Sequence, residues 1–214
     1  MKTDELINAL AADAAASEPP IGRTMAVALA VGVTVSAAIL FGFLGVRSDL
    51  AAAAAQSWRL PAKFAVVIVL AASVFALTRR LIRPDGDARG LWPLLLAAPA
   101  MLLCGVAMEL SQPDIASSAG AIIMVPNRFA CVMFIPLLSL APFAAVLYAL
   151  KQGAPANPTL AGAVGGLLSA ALGATLYASY CNADSPLFVA VWYPLGIAAM
   201  TALGALIGSR LLRW

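Results

Sequence analysis

Histidine is absent from this 214-residue chain, and charge is scarce: aspartate, glutamate, lysine and arginine together make up 11% of it. The first absence removes HExxH zinc sites and the Ser-His-Asp and Cys-His catalytic arrangements. The second removes intrinsic disorder, which needs high charge and low hydrophobicity. Cysteine is sparse as well. There are three and no CxxC, so the thioredoxin-like redox motif is missing. What fills the chain is apolar: 63% of its residues, with a mean hydropathy of +0.95, against roughly 45–50% in a soluble domain. A water-soluble fold of this size cannot hide so much apolar surface. A soluble enzyme is excluded, and a polytopic membrane protein remains.

A spanning helix takes about 20 residues. Six runs of that order lie at 25–45, 62–78, 91–109, 129–149, 160–180 and 187–208. The predicted fold is an all-α integral membrane protein, a six-helix transmembrane domain over 21–214 preceded by a polar tail, 1–20. The run at 25–45 is too long for a signal-peptide core, and no clean Ala-x-Ala cleavage site follows it. The second run is the shortest. Its purely apolar part, 64–77, lies between Lys63 and Arg79-Arg80, and snorkelling of these basic side chains lengthens its reach. Pro93, Pro99, Pro136 and Pro142 fall inside runs, which neighbouring helices can accommodate. Barrel strands would alternate in short segments, and these runs do not.

With the N-terminus inside, nine basic residues fall in inner segments and four (Arg47, Arg59, Lys63, Arg128) in outer ones. That excess places both termini in the cytoplasm. The net charge of +3 is thus a topology signal. No basic face with interleaved aromatics suggests direct nucleic-acid contact. No charge sits in the middle of a run, which opposes a transporter or proton pump.

In the tail, Thr3 can cap a helix whose first turn carries Asp4 and Glu5, with Leu6, Ile7 and Leu10 on one face and Pro19-Pro20 ending it. Two readings stand: a docking helix that folds on the groove of a cytosolic partner, or a tail lying loose at the membrane surface, since so short a helix is marginal alone. Cys104, inside the third run, reads as packing. Cys131 near the start of the fourth run and Cys181 at the end of the fifth fall at similar depth on the outer side, the oxidising one in a bacterium. They can form a disulfide if their Cα atoms lie within about 7 Å, contribute to a thiophilic metal site that two thiolates leave incomplete, or be two separate buried residues. Lys63 and Arg128 read as snorkelling anchors, with Glu109 pairing to one of them. Gly162 and Gly166, continued by Ser169 and Gly173, and Gly204 and Gly208, with Gly196, read as packing between runs five and six, or less favourably as a dimer face. Trp58 and Trp214 suit interfacial belts. Trp192-Tyr193 reads as a wedge between helices without chemistry.

The opening MKTDELINALAAD, the VRSDLAAA after the first run, Trp58 with Lys63, RFACVMFIPLLSLAP around Cys131, YASYCNADSPLFVAVWYPLG around Cys181 and the final RLLRW together resemble the NrsF-type anti-sigma factors, negative regulators of sigma F in proteobacteria. The resemblance implies a six-span inner-membrane protein that holds an extracytoplasmic-function sigma factor inactive and releases it under oxidative or heavy-metal stress. It implies that Cys131 and Cys181 are the signalling residues and that Cys104, unmatched, is dispensable. A histidine often precedes the second cysteine in that pattern; here the position is Tyr180, so no imidazole is at hand to activate the thiol or complete a metal site. Sigma contacts are then expected on Thr3, Asp4, Leu6, Ile7 and Leu10, with the loop between Arg79 and Arg89 as a second contact. No enzymatic activity and no cofactor are expected. Any metal would sit at Cys131 and Cys181. Membrane lipid is the surrounding partner, and the oligomeric state is left open. The alternative is a membrane thiol oxidoreductase passing electrons between periplasmic dithiols and quinone. The missing CxxC and the lack of a polar quinone-binding cluster count against it.

Overall fold

Long apolar runs can satisfy their backbone groups in lipid only by closing every hydrogen bond within the segment, and the helix does so. In a computed structural model, which describes residues 3, 5, 21–82, 89–126 and 128–212, the runs are helical. Helix α1 (Ile21–Ile39) continues into a single π turn, Leu40–Leu44, and stops at Gly45, whose φ of 78° suits glycine. Then come α2 (Leu50–Gln56), α3 (Arg59–Leu81), a 3-10 segment (Arg89–Leu96) leading into α4 (Ala97–Leu110), and α5 (Pro113–Ile123). Helices α6 (Arg128–Gly153), α7 (Pro158–Ala178) and α8 (Pro186–Leu211) complete the chain. Six of these segments are long and apolar enough to cross a bilayer. No strand occurs among the described residues.

The second run is longer than its apolar core suggested, because α3 begins at Arg59 and ends at Leu81. The third opens as 3-10 where Pro93 withholds an N–H, and becomes α-helical at Ala97. The connecting helices α2 and α5 were not anticipated. Five consecutive alanines favour the first, and Pro113 at the first helical position suits the start of the second. Thr3 and Glu5 are helical and exposed. Asp4, Leu6, Ile7, Leu10 and Trp214 lie outside the described residues.

Helix α7 is the most enclosed of the six, packed by α8, α6 and α3. Its small-residue face lets α8 come close: a Cβ on Gly162 would stand 2.7 Å from the Cα of Gly208, and one on Gly208 would stand 2.6 Å from the Cα of Gly162. The packing of run five on run six is therefore as expected. The rest of the stripe divides differently, since Gly173 faces Ile135 and Ser139 of α6, and Gly196 faces Cys131 and Ile135 there.

A second close approach joins α1 to α6. Pro142 supplies no N–H to the carbonyl of Leu138 one turn back, and that carbonyl instead accepts a hydrogen bond from the buried hydroxyl of Ser36 at 2.7 Å. Gly32 admits the proline backbone, whose Cα would lie 2.8 Å from an added Cβ. A proline that would break an isolated helix thus becomes the point where α1 docks. Gly162→Leu or Gly208→Leu is expected to destabilise the bundle by about 1–3 kcal/mol through overpacking, read as a lower thermal midpoint in detergent. Gly120→Ala, with open space around it, is expected not to lower it.

Candidate functional site

One end of the bundle carries both thiols of the predicted pair. Cys131 faces inward from the first turn of α6, and Cys181 sits in the loop that follows α7. Both are free thiols, 0% and 6% exposed. The two side chains lie in one buried cluster, close enough for each to act on the other's ionisation. Tyr177 and Tyr193, whose rings stand 6.0 Å apart, wall the pair. The Tyr193 hydroxyl is buried against the sulfurs with no well-formed hydrogen bond of its own. Cys104 is apart from them and exposed on α4, so its expected packing role is not what the fold gives it. An exposed position on a membrane-length helix faces the apolar surroundings.

The loop from Ser179 to Ser185 is clamped by charge. Asp184 lies between two cations, its Oδ1 2.8 Å from the Lys63 ammonium and its Oδ2 2.6 Å from the Arg47 guanidinium. Lys63 is 3% exposed and also donates to the carbonyl of Cys181 itself at 2.8 Å. Arg47 donates to that carbonyl at 3.4 Å, grips Asp49 with Nε and Nη2 at 2.8 Å each, and donates its backbone N–H to the Ser179 carbonyl at 3.2 Å. A buried ammonium is tolerated only where oxygen ligands replace its water, and Lys63 has three of them counting the Ala183 carbonyl at 3.4 Å.

Glu109 secures the far side of the loop. It is fully buried. Its Oε2 accepts from the Ser185 hydroxyl at 2.6 Å and from the Leu187 N–H at 3.1 Å, so a carboxylate from α4 caps the N-terminus of α8, where the helix dipole favours negative charge. Oε1 lies 3.1 Å from Nε of Arg59 as an ion pair, without the alignment of a hydrogen bond.

These contacts correct the expected pairings. Glu109 pairs with Arg59 and not with Lys63 or Arg128. Lys63 does not snorkel but is buried under the loop. Arg128 lies over the rings of Phe129, at 4.8 Å, and Trp192, at 6.0 Å. Trp192 wedges as expected and also anchors α5, its indole N–H donating to the Ile123 carbonyl at 2.9 Å. Arg47, Asp184, Arg59 and the two tyrosines were not singled out from sequence. One signal was present: the segments expected on the outer side hold four acids (Asp49, Glu109, Asp114, Asp184) against their four bases, an even balance that suggests pairing.

The surroundings make Cys181 an acidic thiol. The neighbouring Cys131 thiol favours its thiolate most. Burial opposes ionisation, and the Lys63 charge favours it again, leaving the pKa lowered from 9.0 to about 6. Two thiols in one buried cluster, one of them acidified by its surroundings, are equipped for thiol chemistry. Among the described residues, no three His, Cys, Asp or Glu side chains converge as a metal site. Cys131 and Cys181 would need ligands of another kind to hold an ion.

A six-helix membrane-type bundle with a charge-clamped thiol pair at one end is the class these features define. Within it, residues 10–214 match the family described as negative regulator of sigma F, NrsF. The chain is 33% identical over its whole length to the anti-sigma-F factor NrsF of Caulobacter vibrioides, and 33% identical over its whole length to the probable anti-sigma-F factor NrsF of Azospira oryzae, with 100% of each relative covered. The chain belongs to the NrsF family, which is regulatory rather than catalytic. No solved structure matches it.

Alkylation of Cys181 by iodoacetamide is expected to reach half its maximal rate well below the pH at which an ordinary thiol does in the wild-type chain. Cys131→Ala or Lys63→Met, by removing a group that stabilises the thiolate, should move that midpoint upward. An unchanged pH profile in both variants would contradict the assigned electrostatics.

Proposed function

We propose that this chain is a multi-pass protein of the bacterial inner membrane that sequesters an extracytoplasmic-function sigma factor through its cytoplasmic tail and releases it when oxidants or heavy metals act on Cys131 and Cys181 on the periplasmic side. Family membership supports the sigma partner. The observation that carries the sensing role is the shared burial of the two thiols in one cluster at an end of the bundle remote from the start of α1.

The clamp supplies a route between them. Oxidation of the pair joins the sulfurs: two electrons pass to the oxidant, and the one proton left on the pair, that of the Cys131 thiol, is released. The Cys181 loop must then shift toward α6. Its carbonyl is held by Arg47 and Lys63, and Asp184 is held by the same two cations. Arg47 follows directly on α1, and the other end of α1 carries the tail. Movement of the loop therefore loads the helix from which the sigma-binding segment hangs. A coupling of roughly 1–3 kcal/mol suffices for a useful shift in sigma affinity, and a disulfide, typically worth about 2–4 kcal/mol, covers that range.

Three measurements test this reading. Deleting residues 2–20 should abolish co-purification of a sigma factor from detergent-solubilised membranes while insertion survives; retained binding defeats the tail assignment. Cys131→Ser or Cys181→Ser should uncouple stress from sigma release, and Cys104→Ser should not. Asp184→Asn should weaken the response to oxidant while the pair still oxidises; full induction in that variant would remove the clamp from the route. Turnover of a dithiol substrate by the purified protein, without any sigma partner, would instead favour the thiol oxidoreductase.

A further inference from the structure

Helices α1 and α3 do not close on each other. Helix α1 packs mainly on α6 and α3 mainly on α7, which leaves a groove of about 500 Å³ between them with α7 as its floor. Its walls include Ala30 and Val33 of α1 and Ala72 and Phe75 of α3, and its floor includes Leu168 and Leu172. The lining is apolar apart from Thr175, whose hydroxyl is already committed to the Ala171 carbonyl at 2.8 Å. Every lining residue lies in a segment of membrane-crossing length. Such a lining suits a hydrocarbon chain, which needs no hydrogen bond.

The mouth of the groove has the opposite character. Arg79 and Arg80 stand in the last turn of α3, and Arg23 stands in the first turn of α1, all exposed. The Arg79 guanidinium lies over the ring of Phe75, 5.9 Å from its centroid, and leans toward α1, where a Cβ on Gly22 would be 3.9 Å from its Nη2. Among the described residues, none of these three arginines is in an ion pair with a carboxylate. A dry slot ending in guanidinium groups with no carboxylate partner among the described residues matches one molecule with two halves, an acyl chain and an anionic phosphate at the membrane interface.

We propose that the α1–α3 groove is a binding site for one anionic phospholipid, with an acyl chain lying between Ala30, Ala72 and Leu168 and the headgroup phosphate held by Arg79, Arg80 and Arg23. The site rests on none of the thiol chemistry or the sigma reading. It adjoins the start of α1, so its occupancy bears on the segment to which the tail is attached.

The test uses the full-length chain, released from nanodiscs of phosphatidylglycerol mixed equally with phosphatidylcholine and analysed by native mass spectrometry. Wild type should retain one phosphatidylglycerol per chain in preference to phosphatidylcholine, by roughly fivefold for each arginine engaged. The triple variant R23Q/R79Q/R80Q should retain both lipids equally. Ala72→Phe, or Ala30→Leu should the first variant fail to fold by circular dichroism, should fill the slot and strip the retained lipid. Equal retention of both lipids by wild type would mean an ordinary annulus and overturn the site. An unchanged preference in the triple variant would overturn the headgroup assignment. A dimer mass, free of lipid and lost in the groove-filling variant, would show that a second copy occupies the slot and overturn the proposal altogether.

Discussion

The thiol end of the bundle depends on Asp184. A single carboxylate bridges Arg47 and Lys63, and with it the Cys181 loop is fixed to the end of α1 and the beginning of α3. Remove the carboxylate and an ammonium 3% exposed loses its only anionic partner among the described residues, an arrangement that typically costs about 3–5 kcal/mol when a buried pair is broken. The same cations that neutralise Asp184 hold the Cys181 carbonyl. The backbone that positions the sulfur and the charge that tunes it are therefore one network. Glu109 plays the matching part on the other flank, where it caps α8 and faces Arg59.

Beneath this end the bundle is held by close backbone approaches more than by large side chains. Glycines of α7 and α8 meet face to face, and the carbonyl left free by Pro142 recruits Ser36. Such contacts favour discrete arrangements over gradual deformation, because backbone atoms this near cannot slide past one another without separating first. Packing of this kind favours displacement of whole helices over bending within them.

Much of this was legible in the amino-acid order. Hydropathy gave six membrane-length helices, and the glycine spacing gave the α7–α8 contact. The depth of Cys131 and Cys181 along their runs brought them to one end, although their sharing one cluster depends on the packing of α6 against α7. The pairing of charges was not legible. Arg47, Lys63, Arg59, Glu109 and Asp184 are spread over some 140 positions, and which cation meets which carboxylate is set by how α3 and α4 lie against the loop. Lys63 shows the limit most clearly. Its place beside an apolar run suggests a side chain reaching for water, and only the loop folded above it supplies the oxygens that let it stay inside. Residues 4, 6, 7 and 10, expected to grip sigma, lie outside the described part of the chain.

The π turn at Leu40–Leu44 gives α1 an unusual property. A turn of that kind contains one residue more than its α-helical counterpart, so tightening it would swivel the chain beyond it by about 100° around the axis. Arg47 lies just past that point. Its reach to Asp184 thus presupposes the wider winding: deleting one residue between Leu40 and Leu44 would turn the guanidinium to another side of the helix axis and away from its carboxylate.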